Sequence, residues 1–170
     1  MKRAYLLIGH GSPARGTPKE LVQELSRLEK ERVEGGAPSA RERELDALVR
    51  AWPRPAGSDP YKEGLEALAE ALRATVDAPV LACYNEFCAP SVQDAVDALA
   101  ARGVEEIVAL TTMLSRGGVH SEREIPEELE RASRSHPGVA IRYVWPVPEQ
   151  ALAGFLASLA QERAPRPEGP

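Results

Sequence analysis

Apolar and polar positions along this chain fall into two alternating rhythms. Short runs of apolar and β-branched residues at 4–8, 79–84, 105–112 and 139–145 predict four strands. Leu65, Leu68, Ala69, Leu72 and Val76 recur at helical spacing, as do Val92, Ala95, Val96 and Leu99, so each set predicts a helix with one apolar stripe against a sheet. Ser91 can cap the second of these and Gly103 can end it. Another helix is expected from about Ile125-Pro126, and Ala151, Leu152, Phe155, Leu156 and Leu159 predict a final packing helix. Strands alternating with helices indicate an α/β fold built on a four-stranded parallel sheet. Doubly wound sheets of this size usually run in the order 2-1-3-4, with helices on both faces.

The first crossover, residues 13–78, is unusually long. It predicts helical stretches near 18–33 and 41–51, separated by Gly35-Gly36-Ala37-Pro38, with a further break at Trp52-Pro53-Arg54-Pro55-Ala56-Gly57. Its charge density suits a helical excursion or lid, or a solvated insertion. The chain is read as one domain over 1–163, followed by a disordered tail at 164–170.

A chain of 170 residues, 43% hydrophobic, can bury one real core but not two full α/β domains. No apolar run approaches a membrane span, and Met1-Lys2-Arg3 leads straight into a strand, so a cytoplasmic location is expected. Two cysteines, Cys83 and Cys88, lack the partners of a structural zinc site and read as a buried reduced pair. A net charge of -5 argues against a nucleic-acid surface.

Candidate chemistry gathers at strand ends. His10 follows the first strand between Gly9 and Gly11, whose missing Cβ atoms would let a ligand approach closely. Glu86 follows the second strand and His120 the third, so a 2-1-3-4 sheet brings all three loops to one carboxyl edge. Two imidazoles and a carboxylate form a set for a divalent metal or for acid–base work. Each has a plainer alternative: His10 as a turn donor, His120 as a cap for the helix near Ile125, Glu86 as a carboxylate facing the amides after Pro90-Ser91. His136 lies at the opposite edge and reads as a surface turn residue.

Gly9-His10-Gly11-Ser12, Tyr84-Asn85-Glu86-Phe87-Cys88-Ala89-Pro90-Ser91 and Met113-Leu114-Ser115-Arg116-Gly117-Gly118-Val119-His120 with Glu124-Ile125-Pro126 resemble the class II tetrapyrrole chelatases of the short CbiX type, the sirohydrochlorin cobalto- and ferrochelatases. The chain departs from the usual pattern at Asn85, at Glu124 and near Thr111-Thr112. The resemblance implies a flavodoxin-like chelatase fold and insertion of a divalent metal into sirohydrochlorin, on the cobalamin or siroheme route. It implies metal handling by His10, His120 and Glu86. Co2+, Fe2+ or Ni2+ would be the substrate ion, with no organic cofactor. Because long members contain two such halves, it also suggests a homodimer.

Sirohydrochlorin is a polycarboxylate, so local donors must hold it. Arg15, Arg116 and Arg123 are candidates, assisted by Ser12, Ser115 and the amides of Gly117 and Gly118. Two other readings compete: a metal carrier or sensor using the same set, and a phosphatase that forms a phosphohistidine at His10. The second is weakened by Gly9 standing where an arginine clamp is normally needed.

Overall fold

The computed structural model describes residues 2–32 and 36–163. Four strands, β1 (Arg3–Gly9), β2 (Val80–Tyr84), β3 (Glu106–Thr111) and β4 (Ala140–Tyr143), form one all-parallel sheet in the order β2-β1-β3-β4. The helices are α1 (Lys19–Glu31), α2 (Ala40–Arg50), α3 (Pro60–Arg73), α4 (Val92–Ala101), α5 (Ile125–Ser135) and α6 (Glu149–Arg163).

The alternation of β1 sorts the core into two layers. Ala4, Leu6 and Ile8 face α4 and α5, meeting Val92, Val96, Leu99, Ile125 and Leu129. Leu7 faces the other way, with Leu65 and Ala69 of α3 and with Val80, Tyr84 and Cys88. Each crossover helix is anchored by its start. Ser91 and Asp94 make a reciprocal capping box on α4, and Asp59 accepts from Lys62 N–H at the head of α3. Cys83 and Cys88 are buried and reduced.

The long crossover is not a solvated excursion. Its helices α1 and α2 close a third cluster, Leu25, Leu45 and Val49, around Phe87 of the loop after β2. Residues 36–39 form the irregular link into α2, whereas Gly35 and the expected tail at 164–170 lie outside the described residues.

One expectation fails. The terminal segment is helical, but no α6 residue is buried, and Phe155, Leu156 and Leu159 are 55%, 54% and 39% exposed. The reason is geometric: α4 and α5 occupy one face of the sheet and α3 the other, so the apolar stripe of α6 finds no place on this chain's core. His136 lies at the surface turn after α5, as expected, with its Nε2 2.6 Å from Asp97 Oδ1.

Replacing the fully buried Leu45 by alanine is expected to cost about 2–5 kcal/mol of stability in urea unfolding. Leu48→Ala on the same helix, where the side chain is exposed, should change stability by no more than about 0.5 kcal/mol.

Candidate metal centre

Two parallel strands carry their ladder past their own ends. Asn85 N–H donates to the Gly9 carbonyl at 2.9 Å and Glu86 N–H to the His10 carbonyl at 2.8 Å, which lays the two loops side by side. The glycines around His10 serve this packing. A Cβ on Gly9 would stand 2.7 Å from Leu65 Cδ2, and one on Gly11 would stand 2.0 Å from the Glu86 carbonyl oxygen. Gly11 also has φ +95°, a left-handed conformation that glycine adopts freely.

His10 is held from both ends. Its N–H donates to the Tyr61 hydroxyl at 2.7 Å, and its Nδ1 lies 2.8 Å from the Gly11 carbonyl. A carbonyl only accepts, so Nδ1 carries the proton and Nε2 keeps its lone pair. That Nε2 faces Glu86 Oε2 at 3.7 Å.

His120 opens a single π-helical turn, His120–Glu124, in which Ile125 N–H reaches back to the His120 carbonyl. Pro126 follows and has no N–H to return to Glu122, so a regular α-turn cannot close here. His120 is therefore not the cap of α5. Its Nδ1 meets Glu124 Oε2 at 2.7 Å, and Asn85 Nδ2 donates to the same oxygen at 3.0 Å. Burial raises the Glu124 pKa, but the hydrogen bonds from His120 and Asn85 outweigh it and hold the carboxyl below its ordinary value. Glu124 thus stays an acceptor, and His120 is left with a bare Nε2 in the manner of a carboxylate-oriented metal ligand. Sequence reading missed this partner, although its four-residue spacing from His120 was available as a signal.

The two imidazoles stand edge to face with centroids 4.6 Å apart. Glu86 Oε1 is 3.6 Å from His120 Nδ1. One donor atom each from His10, Glu86 and His120 lies within 4.8 Å of the others, the separation a single ion can bridge. Burial raises the Glu86 pKa, and the two histidines pull it part of the way back down. Glu86 is not needed at the head of α4, which Ser91 and Asp94 already cap.

Behind Glu86 lies a cavity of about 100 Å³, lined among others by Glu29, Glu42, Asp46, Glu124 and Glu128. It has room for about three waters at ~30 Å³ each, and none for a macrocycle. Burial and the surrounding carboxylates push Glu29 up to about 8, and burial pushes Glu128 up to about 7.

The expected substrate donors are mostly at the surface, and Arg123 adds to the positive charge felt by Glu124. Arg15, Ser115, Arg116 and Arg123 are exposed, and Arg116 Nη1 lies 3.5 Å from Glu149. Gly117 N–H donates to Glu122 Oε1 at 2.8 Å, the Cβ position of Gly118 faces Ser121, and Ser12 Oγ reaches Asp59 Oδ1 at 3.4 Å.

Fold and side chains together define a parallel α/β protein with a two-histidine, one-carboxylate candidate metal centre at the carboxyl edge of its sheet. The CbiX family model matches residues 56–163, and the chain belongs to that family. A sirohydrochlorin cobaltochelatase of Priestia megaterium is 34% identical over 98 residues, covering 55% of this chain and 31% of its own length. Another, from Methanothermobacter thermautotrophicus, is 35% identical over 71 residues, covering 41% of this chain and 49% of its own length. The matches therefore span about a third and about half of these curated relatives. Among solved structures, a CbiX protein of Marinobacter aquaeolei VT8 superposes with a TM-score of 0.55 at 18% identity over 94% of this chain and 96% of its own. SirB of Bacillus subtilis with Fe3+ gives 0.55 at 19% identity, covering 97% of this chain but 49% of SirB. At these identities the structural likeness is one of fold.

Two outcomes follow. Gly11→Ala is expected to lose more than about 2 kcal/mol in denaturant unfolding, because it adds a backbone clash to left-handed strain. Glu29 has a folded pKa raised from 4.5 to about 8, so its contribution to stability is greatest below pH 4.5 and is lost as pH rises through 8. Glu29→Gln should accordingly leave the urea midpoint unchanged at pH 4.5 and raise it at pH 8.

Proposed function

We propose that this protein inserts a divalent metal, Co2+ or Fe2+, into sirohydrochlorin, on the cobalamin or siroheme route. The observation that carries this reading is the convergence of His10, Glu86 and His120 within 4.8 Å, with both imidazole tautomers set by carbonyl or carboxylate partners. The names of the Priestia and Methanothermobacter relatives support the substrate, and SirB solved with Fe3+ and with cobalt supports the ions.

Metallation exchanges two pyrrole N–H protons for one M2+, so two protons must leave as the ion enters. His10 and His120 bind the ion through neutral nitrogens and accept protons when it departs. Glu86, raised by burial and drawn back by the two histidines, offers a carboxylate to the cation and an acceptor for one of the departing protons. Three donors leave coordination positions open for pyrrole nitrogens. The small cavity behind Glu86 suits ions, water and protons, so the macrocycle belongs on the open side of the cluster. There Ser12, Arg15, Ser115, Arg116, Arg123 and the amide of Gly118 are proposed to take its carboxylates, joined by the Gly117 amide once Glu122 releases it.

We further infer a cytoplasmic homodimer. No described helix is long and apolar enough to cross a membrane. This chain corresponds to half of SirB, and the exposed apolar stripe of α6 is a surface that a second copy could cover. A phosphohistidine mechanism is disfavoured because Nε2 of His10 faces a carboxylate, which would repel a phosphoryl group.

An anaerobic absorbance time course with sirohydrochlorin and Co2+, Fe2+ or Ni2+ should show metallation faster than in protein-free controls. His10→Ala and His120→Ala should each slow it by ~100-fold or more with an unchanged circular dichroism spectrum. Tight metal binding without acceleration would make the protein a carrier instead.

A further inference from the structure

Every backbone carbonyl from Tyr84 to Cys88 accepts a hydrogen bond, and four of these five bonds come from three guanidinium nitrogens of the long crossover. Arg50 Nη1 donates to the carbonyls of Tyr84 at 3.2 Å and Cys88 at 2.6 Å, and its Nη2 to that of Asn85 at 2.7 Å. Arg54 Nη2 donates to the Phe87 carbonyl at 2.6 Å. Only the Glu86 carbonyl is satisfied locally, by Cys88 N–H at 2.6 Å. Such a segment needs outside donors, because buried carbonyls without partners are costly and Phe87, at φ +57°, cannot continue a strand.

Both arginines are themselves fixed. The Arg50 Nε lies 2.8 Å from both carboxylate oxygens of Asp46, and Arg54 pairs with the buried Asp59. Each side chain is 10% exposed. Arg54 Nη2 also donates to the Ser12 carbonyl at 2.9 Å, tying the His10 loop to the Glu86 loop.

We propose that Arg50 and Arg54 are positioning residues that set the place of Glu86 relative to the two histidines by holding the main chain of its loop. This rests on the reading of His10, Glu86 and His120 as a metal centre. The planar fork is essential. Arg50 addresses three carbonyls and a carboxylate in fixed directions, which the single nitrogen of a lysine cannot do although it carries the same charge.

The test is a Co2+ titration of the full chain, followed by the visible ligand-field bands of the bound ion and by its affinity. Arg50→Lys is expected to weaken Co2+ by ~10-fold or more and to shift the bands, with the far-ultraviolet circular dichroism unchanged. In a Glu86→Ala background the same substitution should alter affinity by less than ~2-fold, since the ligand it positions is gone. Asp46→Asn, which releases the fork without removing it, should show the same dependence on Glu86 and provides the measurement if Arg50→Lys does not fold. Wild-type bands and affinity in Arg50→Lys, or equal losses with and without Glu86, would overturn the proposal. A wild-type chain that binds no Co2+ would instead overturn the metal-centre reading beneath it.

Discussion

The hydrogen bond from Glu86 N–H to the His10 carbonyl is the contact on which the site depends. It extends the β1–β2 ladder beyond the sheet and sets a carboxylate beside an imidazole without either side chain having to find the other. It forms only because nothing projects from Gly11, where a Cβ would strike the Glu86 carbonyl. The third ligand then comes from β3 on the other side of β1, through a turn that returns His120 over the same edge. Sheet order and main-chain pairing thus assemble the cluster before any side-chain chemistry operates.

The crossover between β1 and β2 takes part in this assembly. Its helices bury Leu25, Leu45 and Val49 around Phe87, the residue directly after Glu86, so the apolar cluster and the arginine forks act on one segment. Holding Phe87 in a left-handed conformation costs of order 1–3 kcal/mol, and the packed helices are what sustain it. The cavity forms where this addition meets α5, which explains why Glu29 and Glu128 are raised first by burial and then by carboxylates from separate parts of the chain.

Much of the architecture was legible in the sequence, because periodicity reports burial directly. The four strands and the helices α3, α4 and α5 follow from apolar spacing with Ser91 and Pro126 as punctuation, and the strand order follows from the usual winding of such sheets. His10, Glu86 and His120 stood out because glycines and strand ends mark them. Glu124 was marked only as part of a motif, without its bond to His120, and Arg50 and Arg54 were not marked as site residues. The first makes its bond to a side chain that also carries another role, and the arginines bind main-chain carbonyls, which leave no trace in residue identity. Helix α6 shows the reverse failure. Its apolar stripe was read correctly as a stripe, but periodicity does not say which surface will cover it.

The π turn at His120–Glu124 has a bearing on how this site can vary. A π turn accommodates one residue more than an α-turn of the same rise, and Ile125, Leu129 and Ala132 lock the phase of the helix that follows it. Deleting one residue between His120 and Glu124 would cut their separation from four residues to three, and so change how imidazole and carboxylate meet, while leaving that packed stripe in place. The distance between imidazole and carboxylate is therefore counted in whole residues, and the site tolerates exchange of side chains along this segment far better than any change in its length.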